Sequence, residues 1–172
     1  GDVLAMVSYP GYDNNKMANT VDAEYYAQLN ADKSSPQLNF ATQYKAAPGS
    51  TFKIVSATAG LLENVINLQS RVNCVGTFTE ITPSPRCWKI SGHGYENVTS
   101  AIKDSCNYFF YNVGYQLATR TGSYNEEAGL DTLSKYADLY GLTDKSGVEI
   151  GEYAPDVSTK DPVRSAIGQG SN

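Results

Sequence analysis

Apolar positions along this chain change their spacing from block to block. Val3 to Tyr9 is a continuous, β-rich apolar run, the pattern of a strand covered on both faces. Pro10-Gly11-Tyr12-Asp13-Asn14-Asn15 is turn material. Residues 16–47 lack a clean period; Val21 to Leu29 predicts a short helix inside a long surface loop. After Pro48-Gly49 the pattern becomes helical at once, through Phe52, Ile54, Val55, Ala57, Ala59, Leu61 and Leu62. It predicts a helix from Ser50 to near Asn64. Leu68 to Gly92 reads as irregular, with Pro83 and Pro85 inside it. A helix is expected over Thr99 to Asp104, capped by Thr99 or Asn97. Ser105-Cys106-Asn107 then interrupts. Tyr108 to Thr119 predicts a strongly apolar helix (Phe109, Phe110, Val113, Leu117) closed by Gly122, and 123–128 a loop. Leu130 to Tyr140 is amphipathic and ends at Gly141. A Pro-containing loop leads to Gly168-Gln169-Gly170.

Composition narrows the picture. The 172 residues fit one domain with a real core, and 41% hydrophobic against 18% charged residues is an ordinary globular balance. A net charge of −5 argues against nucleic acid as a partner. Thirteen tyrosines suit a surface that meets polar polymers, or half-buried packing. No apolar run approaches the ~20 residues of a membrane span, and no charged-then-apolar leader opens the chain. The abrupt start at Gly1-Asp2-Val3-Leu4 implies a piece cut from a longer polypeptide.

The candidate chemistry begins at Pro48-Gly49-Ser50-Thr51-Phe52-Lys53. A helix from Ser50 sets Lys53 one turn on, on the same face. The hydroxyl then sits at the positive end of the helix dipole, beside an amine that can take its proton. Ser-x-x-Lys alone is weak, because Ser100-Ala-Ile-Lys103 matches it too; the loop before Ser50 and the long apolar face after it favour Ser50. Ser105-Cys106-Asn107 offers a hydroxyl for proton relay and an amide for a substrate backbone. Ser123-Tyr124-Asn125 fits the same pattern, and either could be a helix cap.

Cys74, Cys87, His93 and Cys106 include every cysteine and the sole histidine of the chain. Their spacing, C-x12-C-x5-H-x12-C, has the composition of a Cys3His zinc site but lacks a tight C-x-x-C. A Cys74–Cys87 disulfide that leaves Cys106 free, or three unlinked cysteines with His93 simply packed, fit the same residues.

Taken together and in order, five segments resemble a known family. They are Gly1-Asp2-Val3-Leu4-Ala5-Met6-Val7-Ser8-Tyr9-Pro10, Ala47-Pro48-Gly49-Ser50-Thr51-Phe52-Lys53, His93-Gly94, Ser105-Cys106-Asn107-Tyr108-Phe109-Phe110-Tyr111 and Ala166-Ile167-Gly168-Gln169-Gly170. The chain is similar to the transpeptidase domain of class B penicillin-binding proteins, nearest to the elongation-type enzymes, over residues 1–172. Ser-x-x-Lys, Ser-Asp-Asn and Lys-Thr-Gly are the signature of that group. Cys106 replaces the variable middle residue of the second element. Phe40 stands where the family often carries Arg.

The resemblance implies an α/β fold, that of the serine β-lactamases and penicillin-binding transpeptidases, here incomplete: a helical lobe plus one or two strands of the antiparallel sheet. It implies that Ser50 is the nucleophile, Lys53 its general base and Ser105 a proton relay. Asn107 would hold Lys53 and the substrate amide, and Gly168 and Gln169 would meet substrate. Stem peptides ending in D-Ala-D-Ala would be the substrate and β-lactams the inhibitors. The parent would be anchored in the bacterial membrane with this domain outside, beside a membrane glycosyltransferase. Some elongation-type members hold a metal behind the second motif, and the resemblance implies that Cys74, Cys87, His93 and Cys106 would hold zinc at that place here. Lys145-Ser146-Gly147 looks like a third motif, but the family carries a similar non-catalytic turn there, and its true Lys-Thr-Gly strand would fall after Asn172.

Three other functions share the fold. A β-lactam sensor acylates without cross-linking, but the opening strand and Phe109-Phe110-Tyr111 resemble the synthases more. A β-lactamase needs a further base, and no Glu-x-x-x-Asn of that kind is present. A degenerate, zinc-held structural domain has no reason to keep Ser50, Lys53, Ser105 and Asn107.

Overall fold

The computed structural model describes residues 2–170; Gly1, where the resemblance begins, and Ser171-Asn172 at its end lie outside the described residues. Two compact units emerge. One comprises the N-terminal stretch to Ala46 together with Lys145–Ala154, the other Ala47–Asp144 together with the stretch from Pro155.

The first unit carries two short helices, α1 (Ala23–Ala31) and α2 (Phe40–Gln43). Each starts where a side chain satisfies the free N–H groups of a first turn: Asp22 accepts from Glu24 and Tyr25, Asn39 from Ala41. The expected strand from Val3 to Tyr9 does not form, and Leu4 is 94% exposed. A strand needs a neighbour's ladder of hydrogen bonds, and no described segment pairs with this one. Ser8 ties it down, donating to the Leu38 carbonyl and accepting from Phe40 N–H. In Lys145-Ser146-Gly147, the Ser146 hydroxyl and the Ser146 and Gly147 N–H groups all bind the Glu152 carboxylate. That hydroxyl is committed to a local turn.

The second unit is a helical lobe with a two-stranded antiparallel ribbon. Its elements are α3 (Lys53–Leu62), β1 (Val72–Cys74), β2 (Gly94–Glu96), α4 (Val98–Lys103), α5 (Asn107–Thr119), α6 (Glu126–Leu139) and α7 (Pro162–Ser165). The ribbon pairs Val72 with Glu96 and Cys74 with Gly94. It gives order to a stretch that the prolines made look irregular.

Asn97 caps α4 with a reciprocal capping box to Ser100. Helix α6 starts at Glu126, earlier than its apolar pattern suggests. Asn125 caps it, and Glu126 and Glu127 complement the positive end of the helix dipole. Helix α7 lies in what the sequence presented as loop; Pro162 begins it and Asp161 caps Arg164 N–H.

The core gathers on α5, whose Phe109, Phe110, Val113 and Leu117 are fully enclosed. Val55 and Ala59 of α3, Leu133 and Tyr136 of α6, and Val163 and Ala166 around α7 pack there. Gly114 lets α7 reach α5, because a Cβ at that position would lie 2.5 Å from the Pro162 carbonyl oxygen.

At the C-terminal end of α3, the Glu63 carboxylate accepts from Lys135 (2.8 Å) and the Tyr136 hydroxyl (2.9 Å) of α6, and pairs with Arg120. The Lys135 and Tyr136 hydrogen bonds hold its pKa down at about 2, with the Arg120 charge helping. A carboxyl depressed in the folded state stabilises the fold above its unfolded pKa, and that contribution fades as pH falls toward the folded value. Glu63→Gln is therefore expected to lower stability by about 1 kcal/mol at neutral pH. The gap to the native protein should narrow below about pH 4, as denaturant unfolding at several pH values will measure.

Candidate active site and metal centre

Ser50 does not begin an α-helix, contrary to the sequence pattern. It lies in a 3-10 turn, Gly49–Phe52, and the α-helix starts at Lys53. Gly49 makes this turn with φ +59° and donates its N–H to the Gly168 carbonyl at 2.9 Å. The approach is close enough that a Cβ on Gly168 would meet the Gly49 carbonyl oxygen at 2.2 Å. The Ser56 hydroxyl adds a bond to the Ala166 carbonyl at 2.7 Å. The Gly168-Gln169-Gly170 segment is thus fastened to the turn that carries Ser50, and Gln169 is exposed beside it in sequence.

Ser50 is exposed, whereas Lys53 below it is only 2% accessible. The Lys53 Nζ reaches four oxygens: Ser50 Oγ at 3.1 Å, Ser105 O at 2.9 Å, Ser105 Oγ at 2.9 Å and Asn107 Oδ1 at 2.6 Å. The Ser105 hydroxyl in turn donates to Ser50 Oγ at 3.0 Å. Ser50, Lys53, Ser105 and Asn107, from two motifs more than fifty residues apart, therefore form one connected network. Burial pushes the Lys53 amine down to about 8, against an opposing pull from the sulfurs of Cys106 and Cys87. An amine that releases its proton near neutrality can accept one from Ser50, which is the requirement for a general base.

The junction of α4 and α5 delivers Ser105 and Asn107. Ser105 takes the left-handed conformation, φ +50°, between the end of one helix and the start of the next. Ser105 and Asn107, on either side of Cys106, both reach Lys53, while the Cys106 sulfur is fully buried.

That sulfur meets Cys74 from the end of β1, Cys87 from the intervening loop and His93 from the entry to β2. The four donor atoms lie within 4.8 Å of one another. Cys74 Sγ and Cys87 Sγ stand 3.6 and 3.5 Å from His93 Nδ1. A tetrahedral ion with bonds of about 2.3 Å to sulfur and about 2.0 Å to nitrogen separates S from N by about 3.5 Å, so the donor set fits zinc in chemistry and these two distances match it in spacing. A Cys74–Cys87 disulfide would leave His93 and Cys106 directed at it without a role; all three thiols are unbridged.

Gly76 and Gly92 close the loop that carries Cys87. A Cβ on the first would lie 1.9 Å from the Ile90 carbonyl oxygen, and one on the second 2.1 Å from that of Cys74. Burial pushes the Cys106 thiol up. Burial acts on Cys87 too, but the Tyr108, Lys89 and Asn107 N–H groups outweigh it and hold that thiol below its ordinary value.

Trp88 is a residue that no spacing argument singled out. Its indole N–H reaches the Asp104 and Ser105 carbonyls at 3.2 and 3.1 Å, and its ring meets His93 edge-on with centroids 5.0 Å apart. The available signal was that it is the only tryptophan of the chain and follows Cys87 directly.

Residues 1–171 match the penicillin binding protein transpeptidase domain, and the chain belongs to that family. Peptidoglycan D,D-transpeptidase MrdA of Salmonella typhimurium is 33% identical over 156 residues, covering 88% of this chain and 23% of that protein. The chain thus spans about a quarter of such a relative's length. Penicillin-binding protein 2 of Helicobacter pylori, solved in complex with MreC, superposes with a TM-score of 0.81 at 25% identity, over 96% of this chain and 32% of that one. The penicillin G acyl-enzyme complex of penicillin-binding protein A from M. tuberculosis gives 0.71 at 25% identity, over 100% and 39%.

Proposed function

We propose that this chain carries the nucleophilic half of a serine-type peptidoglycan D,D-transpeptidase. The observation that carries the reading is the buried Lys53 amine bonded at once to Ser50, Ser105 and Asn107. Neutral Lys53 takes the Ser50 proton as Oγ attacks the penultimate D-Ala carbonyl of a stem peptide. The Ser50 backbone N–H stabilises the developing oxyanion. The C–N bond breaks, Ser105 relays a proton to the departing amine, and the terminal D-Ala leaves. An amine of a second stem peptide then attacks the ester, Ser50 recovers its proton, and a cross-link results. Asn107 holds Lys53 in place and, with Gly168 and Gln169, lines the substrate. A β-lactam would follow the first half of this path and stop at the ester, the state in which the mycobacterial relative was solved with penicillin G.

Zinc belongs in the reading as a structural ion held by Cys74, Cys87, His93 and Cys106. Bound there, it would link the ribbon and the Cys87 loop to the start of α5. The full-length protein is proposed to be membrane-anchored with this domain outside the cytoplasm; no described helix is long and apolar enough to cross a membrane. A membrane glycosyltransferase and an MreC-type partner, the latter as in the H. pylori relative, are the proposed associates.

Intact mass and peptide mapping after incubation of the full-length protein with a penicillin should find one adduct, on Ser50, and none in Ser50→Ala. An adduct elsewhere, or none on folded protein, would overturn the assignment. Elemental analysis of protein purified without added metal should give about one zinc per chain; no metal together with three titratable thiols would sink the zinc site.

A further inference from the structure

Where α4 ends, the carbonyls of Asp104 and Ser105 have no partners within the helix. Ser105 also holds φ +50°, a conformation that is strained for a residue with a side chain and persists only where its surroundings enforce it. Two donors from outside the junction do so. Lys53 Nζ bonds the Ser105 carbonyl at 2.9 Å, and Trp88 Nε1 bonds the same carbonyl at 3.1 Å while sharing its proton with the Asp104 carbonyl. Trp88 is 62% exposed, so it adds little to the core; what it contributes is a rigid ring, set edge-on against His93, with one donor aimed at one peptide.

We propose that Trp88 is a positioning residue for acyl transfer. Its indole N–H fixes the Ser105 peptide and so keeps Ser105 Oγ within reach of both Ser50 Oγ and Lys53 Nζ. The inference rests on the reading of Ser50 as nucleophile. It also gives the Cys87 loop a task in the chemistry, because that loop carries the indole to the second motif. A donor lost here frees the strained junction to relax, and small displacements of a catalytic group are costly in rate. Binding of the β-lactam before the bond forms does not depend on the Ser105 hydroxyl's direction to the same degree, so the effect falls on the chemical step.

The test compares the full-length native protein with Trp88→Phe, which keeps an aromatic ring against His93 and lacks the donor. A fluorescent penicillin is titrated over a concentration series that separates the dissociation constant of the initial complex from the first-order acylation constant. Trp88→Phe should acylate Ser50 roughly tenfold more slowly, with the dissociation constant and bound zinc unchanged and the protein still folded. A second variant, Trp88→Leu, keeps apolar bulk without the donor and should show the same loss. A native acylation constant in both variants overturns the inference and leaves the function standing. So does a loss seen only in the dissociation constant or only alongside lost metal. Native protein that never labels at Ser50 overturns the function itself, and this inference with it.

Discussion

The second unit depends on one buried amine. Lys53 is almost wholly enclosed, yet a charged or even neutral amine buried without partners costs several kcal/mol. The chain meets this cost with oxygens from three places: the 3-10 turn before α3, the strained peptide of Ser105 and the first residue of α5. Together they offer four acceptors to the at most three N–H donors of the amine. The same enclosure that makes Lys53 expensive lowers its proton affinity, so the interaction that constrains the fold also equips the site.

That constraint explains the arrangement of the surrounding elements. Ser105 and Asn107 must both face Lys53, and the residue between them must then point away. Cys106 turns this consequence to use, with its sulfur completing a cluster with Cys74, Cys87 and His93. The two sites are therefore back to back on one three-residue segment. The Cys87 loop returns through Trp88, whose indole N–H bonds the Asp104 and Ser105 carbonyls beside Lys53. On the opposite flank, the Gly49–Gly168 bond fastens the turn that carries Ser50 to the segment after α7. Glycine at 168 is required because the two backbones approach more closely than a side chain would allow.

Much of this was legible in the residues. Apolar spacing located α3, α5 and α6, because their buried faces repeat every three to four positions. Pro48-Gly49 before Ser50 and the Ser105-Cys106-Asn107 interruption marked the residues that the network joins, and C-x12-C-x5-H-x12-C named those of the Cys3His cluster. What stayed hidden was long-range or local in ways that spacing does not record. The Val3–Tyr9 run has a strand's composition, but composition supplies no partner. The start of α6 depended on a cap and two acids rather than on apolar period, and α7 on Asp161 and Pro162. The 3-10 geometry at Ser50 and the reach of Trp88 across to Ser105 follow from tertiary contacts alone.

The central claim is that Lys53 acts as a base because its burial makes it one. The most direct measurement is the rate of Ser50 acylation by a penicillin across the pH range, with the full-length protein at limiting reagent. The account predicts a rate that rises about tenfold per pH unit and levels near pH 8, where the Lys53 amine loses its proton. A rate that does not change with pH through this region, or one still rising toward the ordinary lysine value of 10.5, would contradict it.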